Sequence, residues 1–175
     1  LIITSLFVLK NKDNKKYKGI ITSFIGILIS IISQIGDLAA SAMKRNNEIK
    51  DYAHSKNIKM MGDIPIYVGS DSADVWQYQK SFLLDDIGYP TSVAGCPPDC
   101  FSDTGQLWGN PLYDWNYHKN TGFDWWCSRM EHCFKMYDVV RIDHFRGFDE
   151  YFSIPAKATT AKEGHWEKGP GMDLF

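Results

Sequence analysis

The chain reads as an α/β protein with parallel strands, and three stretches predict it. Residues 37–57 carry a helical pattern, 58–68 read as a strand ending in a corner, and 123–143 repeat the order helix then strand. Such pairs lay strands side by side in one direction and open their terminal carboxylates onto one rim. Asp63 and Asp143 are the two carboxylates so placed.

Residues 1–36 differ from all that follows. Positions 1–9 are apolar, 10–18 are rich in Lys and Asn, and 19–36 are dominated by Ile. The apolar stretch 20–35 falls just short of the roughly 17–25 residues that span a bilayer. Signal-peptide logic fails, because the positive cluster follows an apolar run instead of opening the chain. Three readings stay open: a buried helix or strand, a membrane anchor through 20–35, and a non-native stretch foreign to the rest. We therefore divide the chain into an atypical segment, 1–36, and the remainder, 37–175. Both ends read as cuts.

From 37 to 57, Leu38, Ala42 and Met43 recur at helical spacing, followed by Ile49, Tyr52 and Ala53, while Lys44, Arg45, Glu48 and Lys50 face water. Asn57 suits a left-handed helix end. In the strand that follows, Pro65 cannot donate to a ladder, so pairing should stop near Gly62 or Asp63. Residues 68–122 are too long for an ordinary connection and read as a binding loop or lid. Trp108, Tyr113 and Trp115 offer rings there, Pro97 and Pro98 stiffen it, and Gly105 and Gly109 allow close approach. A loop folded over its own aromatic core is the alternative. Residues 123–137 are helical, with Trp126, Met130 and Phe134 as a packing stripe.

Residues 137–142 form the most informative strand. Alternation puts Val139, Arg141 and Asp143 on one face, and Val140 and Ile142 on the other. At this spacing the fork of Arg141 reaches Asp143 and favours its ionised form. A carboxylate at the end of a buried strand, beside His144, Phe145, Arg146 and Phe148, suits a nucleophile in a cleft. A structural Arg–Asp pair explains the same pattern.

Composition narrows the classes. Net charge is −2, so no basic face for nucleic acid is implied. Aromatics make up 14 %, and the six Trp mostly neighbour Gly, Asp, Asn and Pro, an arrangement suited to sugars. The four Cys, at 96, 100, 127 and 133, do not pair convincingly, and the adjacent His132 and Cys133 point different ways on a helix. Reduced structural thiols and a cytoplasmic location are expected.

Several motifs together resemble glycoside hydrolase family 77, the amylomaltases or 4-α-glucanotransferases (disproportionating enzymes) of the α-amylase clan. They are Gly62-Asp-Ile-Pro-Ile-Tyr-Val68, Asp71-Ser-Ala-Asp-Val-Trp76, Pro97-Pro-Asp99, Gly105-Gln-Leu-Trp-Gly-Asn-Pro-Leu-Tyr-Asp-Trp115, Val140-Arg-Ile-Asp-His-Phe-Arg-Gly-Phe148 and Trp166-Glu-Lys-Gly-Pro-Gly171. The resemblance runs from about Lys44 to Phe175. It implies part of a (β/α)8 TIM barrel, incomplete, with a long aromatic lid between two barrel strands.

The implied activity moves α-1,4-glucan segments between maltooligosaccharides by a retaining double displacement. Asp143 matches the nucleophile and Arg141 the arginine that orients it. His144, Asp63, Tyr67 and Asn110 fall in the motifs that contact substrate, and Asp99, Phe101 and Trp108 in the loop 97–108, which matches the family's flexible lid over bound glucan. Maltooligosaccharides and dextrins from starch or glycogen are the implied partners, with no metal and no cofactor; no nucleic acid is expected, and the length of 20–35 disfavours a membrane. A retaining reaction needs two carboxyl groups roughly 5–5.5 Å apart. By the family pattern the acid/base Glu and a stabilising Asp lie on later strands, and Glu150 falls outside the matching position. The chain is therefore expected to be an internal fragment, inactive alone. A non-catalytic α-glucan-binding protein and a membrane-anchored protein are the alternatives.

Overall fold

The computed structural model describes residues 15–175, with side chains from residue 24 onward except that of Met43. The apolar run 1–9 and the lysines at 10 and 12 lie outside the described residues. The chain divides into two compact units, Leu1–Ile58 and Lys59–Phe175.

The described part of the first unit is one helix, α1 (Lys15–Ser55), so the change in residue chemistry at position 37 falls within a helix. Asn57 does adopt the left-handed conformation, with φ 57°, and Ile58 N–H donates to Ala53 O behind it. The expected packing stripe is not buried: Leu38 and Tyr52 are exposed, and only Ala53 is half-covered.

In the second unit, β1 (Met61–Pro65) and β4 (Val139–Asp143) pair in parallel, with Asp63 opposite Arg141 and Pro65 opposite Asp143. Pairing therefore runs to Pro65, two residues beyond the expected stop. A proline loses only its donor, and at the final position of a strand that loss costs one bond at most. Gly62 is required here by packing, because a Cβ would run into the Tyr137 ring. The predicted alternation of β4 holds: Val139, Arg141 and Asp143 are exposed, Val140 and Ile142 half-buried. The strand is thus covered on one face only.

The second sheet was not anticipated. The order β3 (Gln106–Pro111), β2 (Ser92–Cys96), β5 (Glu150–Pro155), β6 (His165–Lys168) is antiparallel throughout. The segment read as a lid therefore contributes two strands, and residues 165–168 form an edge strand. β5 is buried on both faces: Tyr151 joins one core, while Phe152 and Ile154 join another with Val93 and Ala161.

Helices α2 (Ala73–Gln77), α3 (Trp115–Asn120) and α4 (Asp124–Met136) complete the unit. Ser72 caps α2 and Asp114 caps α3, each side chain accepting the N–H three residues on. On α4 the buried pair is Trp126 and Cys133, and Phe134 is exposed, so the expected stripe is rotated toward the seven-residue spacing. Tyr113 and Trp115 are not site rings. Tyr113 is 1 % exposed and packs against Phe82, Trp125 and Trp126, while Trp115 stacks on Trp126 and touches Phe148. Part of the long middle segment does fold over its own aromatic core.

Candidate active site

The corner that follows β1 is held from behind. Tyr113 Oη donates to Ile66 O at 2.6 Å, and Arg129 on α4 donates to Pro65 O at 2.7 Å and Ile66 O at 3.1 Å. The same guanidinium lies over Trp126 and Trp125, 4.9 and 5.4 Å from their ring centres. From β3, Asn110 Nδ2 donates to Val68 O at 2.8 Å. These bonds fix residues 65–68 and leave Tyr67, 5 % exposed, as the floor of a cleft. Burial, with the Cys96 thiol nearby, pushes the Tyr67 phenol up, so it is a hydroxyl donor and not a phenolate.

The cleft, about 480 Å³, is lined by Tyr67, Trp108, Asn110, Asp143 and His144, with Asp74 at its side. Trp108 meets the His144 ring edge-on at 4.9 Å and the Tyr67 ring at 6.4 Å, and its Nε1 donates to Gln106 Oε1. His144 itself is left-handed, φ 55°, at the turn from β4 into the short 3₁₀ segment Phe145–Phe148. A non-glycine residue in that region is uncommon and turns the imidazole toward the cleft instead of along the strand. Its Nε2 is buried without a protein partner. Burial lowers its pKa, Asp143 opposing and Arg146 reinforcing the shift, so the ring is neutral near pH 7.

At the rim, Arg141 bridges two carboxylates: Nε to Asp63 Oδ1 at 3.0 Å and Nη2 to Asp143 Oδ1 at 3.2 Å. The i+2 contact was legible along the strand. The contact to Asp63 depends on the β1–β4 register, which sets Asp63 and Arg141 opposite each other.

The structure thus gathers Asp143, His144, Tyr67, Trp108 and Asn110 at one cleft, with Asp63 and Arg141 ion-paired at its edge. Two expected site residues stand apart from that lining. Asp99 closes a local turn, its Oδ1 accepting from the N–H groups of Phe101 and Ser102, both at 2.9 Å, and Phe101 is 92 % exposed at the loop tip. Arg129 and Tyr113 went unnoticed as builders of the corner, because neither the helix pattern nor the loop pattern shows which carbonyl a side chain reaches.

Glu150 is tied to Lys168 at 2.6 Å and to Arg146 at 3.6 Å, and the Lys168 hydrogen bond and charge hold its carboxyl below the usual range. An acid so depressed is a poor proton donor near neutral pH. The four cysteines are unbridged, and among the described residues no group of metal-ligand spacing occurs.

Residues 38–175 match glycoside hydrolase family 77, described as 4-alpha-glucanotransferase, and residues 1–56 match the cytidylyltransferase family. A 4-alpha-glucanotransferase of Clostridium butyricum is 56 % identical over 128 residues, 73 % of this chain and 26 % of that protein. The Solanum tuberosum chloroplastic/amyloplastic 4-alpha-glucanotransferase is 52 % identical, over 73 % of this chain and 22 % of its own length. Among solved structures, the amylomaltase of Streptococcus agalactiae in complex with acarbose superposes with a TM-score of 0.73 at 50 % identity, covering 75 % of this chain and 26 % of that one. The chain spans roughly a quarter of the length of the curated relatives it matches.

Proposed function

The chain belongs to glycoside hydrolase family 77, the 4-alpha-glucanotransferases, and from that premise we propose that it supplies the nucleophile strand and sugar-binding floor of an α-1,4-glucan transferase. One observation carries the reading: Asp143, at the end of β4 and paired with Arg141, borders the cleft formed with His144, Trp108 and Tyr67. Parallel β1 and β4 are then two neighbouring strands of a (β/α)8 barrel, with Asp143 at its C-terminal rim and Asp63 two residues further in, opposite Arg141.

In the proposed reaction, a carboxylate oxygen of Asp143 attacks the anomeric carbon of a bound glucan and the glycosidic C–O bond breaks. A proton passes to the departing oxygen, and a covalent glucosyl ester remains. The hydroxyl of an acceptor glucan then attacks that carbon, gives up its proton, and releases Asp143. Arg141 orients the attacking carboxylate. Trp108 offers its ring face to a sugar, and neutral His144 offers a nitrogen to a sugar hydroxyl. Maltooligosaccharides and starch- or glycogen-derived dextrins are the proposed substrates.

We assign the proton donor to another part of the whole enzyme, since the matched segment is about a quarter of the relative's length and Glu150 is held ionised by Lys168. Residues 15–175 alone are then expected to bind glucan without transferring it. The test is to replace the matching segment of the Clostridium butyricum relative with residues 59–175 of this chain. Maltotriose disproportionation by that chimera, lost on Asp143→Asn, supports the reading. Turnover that survives the substitution removes Asp143 from the nucleophile's role.

A further inference from the structure

The stretch of α1 before residue 38 lies outside the glucanotransferase match, and it has the features of a segment with a solvent of its own. From Gly19 to Gly36 the sequence holds no charged residue. As helix this stretch is about 27 Å long, at about 1.5 Å per residue, close to the roughly 30 Å hydrocarbon core of a bilayer. Every described side chain from Phe24 to Ala42 is exposed. Phe24, Ile27, Ile29 and Ile32 are each more than half exposed, and at 3.6 residues per turn the apolar positions cover well over half of the circumference. The remaining stripe, Gly26, Ser30, Ser33 and Gln34, is uncharged.

A surface helix of a water-soluble protein shows an apolar stripe and a charged opposite face; one apolar nearly all round is buried or spans a membrane. Pairing with a second copy along Ile25, Leu28, Ile32 and Ile35 would leave Ile27 and Ile31, on the flank of that seam, in water. The charges begin at the two ends: Lys15, Lys16 and Lys18 precede the stretch, and Asp37, Lys44 and Arg45 follow it. Basic residues grouped at one end of an apolar helix suit anionic lipid headgroups. This region also forms a unit separate from Lys59–Phe175 and matches a second family.

We propose that residues 19–36 span a lipid bilayer and tether the Lys59–Phe175 unit to it. The membrane partner disfavoured on sequence length alone is favoured once the exposure of the helix is known. The chain is produced in bacterial cells, the membranes are washed with alkaline carbonate, and they are floated through a density gradient. The wild-type chain should float and resist the wash. A double variant, Leu28→Arg with Ile32→Arg, should float at least ~tenfold less, since each arginine meets the apolar centre of the span. The apolar exchange Leu28→Ile with Ile32→Leu should float as the wild type does.

Recovery of the wild-type chain in the soluble fraction, as monomer or dimer, overturns the proposal. So does release by carbonate, which marks a helix lying on the surface, sedimentation as aggregate, or flotation of the arginine variant. An Asp143→Asn chain should float unchanged, so failure of the transferase reading and failure of this one are distinguishable.

Discussion

Two arginines on either side of the β1 corner do opposite jobs with one functional group. Arg141, on the open face of β4, spans Asp63 and Asp143 where all three side chains are more than half exposed. Arg129, behind the corner, holds two backbone carbonyls and lies over two tryptophan rings. Exposed ion pairs contribute about 0–1 kcal/mol, because solvent screens them and ordering long side chains costs entropy. A guanidinium that bonds the part-buried Ile66 carbonyl and lies over two rings is worth more, since removing it loses a charge-assisted hydrogen bond and the ring contacts together. On the proposed reading the rim is therefore cheap to disturb for folding and costly for chemistry, and the back of the corner is the reverse.

That contrast breaks most visibly at Asp143. In the Clostridium butyricum chimera, Asp143→Asn should reduce maltotriose disproportionation by at least ~10⁴-fold, as expected when a nucleophile is lost. The unfolding free energy from urea titration should change by no more than about 1 kcal/mol. A large loss of stability would place Asp143 on the structural side of the comparison. Next comes Trp126, 2 % exposed beneath Arg129. Trp126→Ala should cost about 3–5 kcal/mol by urea unfolding, because the neighbouring rings cannot collapse into the space.

Arg129→Met keeps the length of the stem and removes the donors. It should cost about 2–3 kcal/mol and weaken maltoheptaose binding through Tyr67, read by calorimetry. Equal binding at reduced stability would confine Arg129 to folding. Tyr113→Phe deletes one hydrogen bond to Ile66 O and should cost about 1–2 kcal/mol.

The smallest effect is one of pH. His118 is fully buried, its Nε2 bonded to Ser81 O, and burial lowers its pKa from the ordinary 6.5. The neutral ring is thus favoured in the folded state. Its contribution is complete above pH 6.5, where both states are neutral, and declines as pH falls toward the folded value because the unfolded chain takes up the proton first. Thermal melting should show Tm falling between pH 7 and 5, less steeply in His118→Gln. An identical slope in both proteins would assign the pH response to other groups.

Much of the rim could be read along the chain. The alternation of β4 set Arg141 and Asp143 on one face; Asp63, expected at a strand end, instead sits at the centre of β1, two residues before pairing stops at Pro65. The corner could not. Its clamp joins Arg129 to carbonyls more than 60 residues away, and Tyr113 to one 47 residues away, without a periodic signal. The antiparallel sheet was missed for a related reason. Its strands are four to six residues long, interrupted by Gly95 and Gly109, and β2 pairs with β5 only after the whole of α3, α4 and β4 has intervened.

By itself the sequence determined local geometry: which residues share a face of β4, where α4 runs, and that residues 19–36 carry no charge. Only the tertiary structure decided which aromatic rings line the cleft and which face core, sending Trp108 to the cleft and Tyr113 into the interior. The physical reason is that periodicity reports a side chain's direction relative to its own backbone. Burial and partnership depend on what another segment brings to that side, and nothing local encodes it.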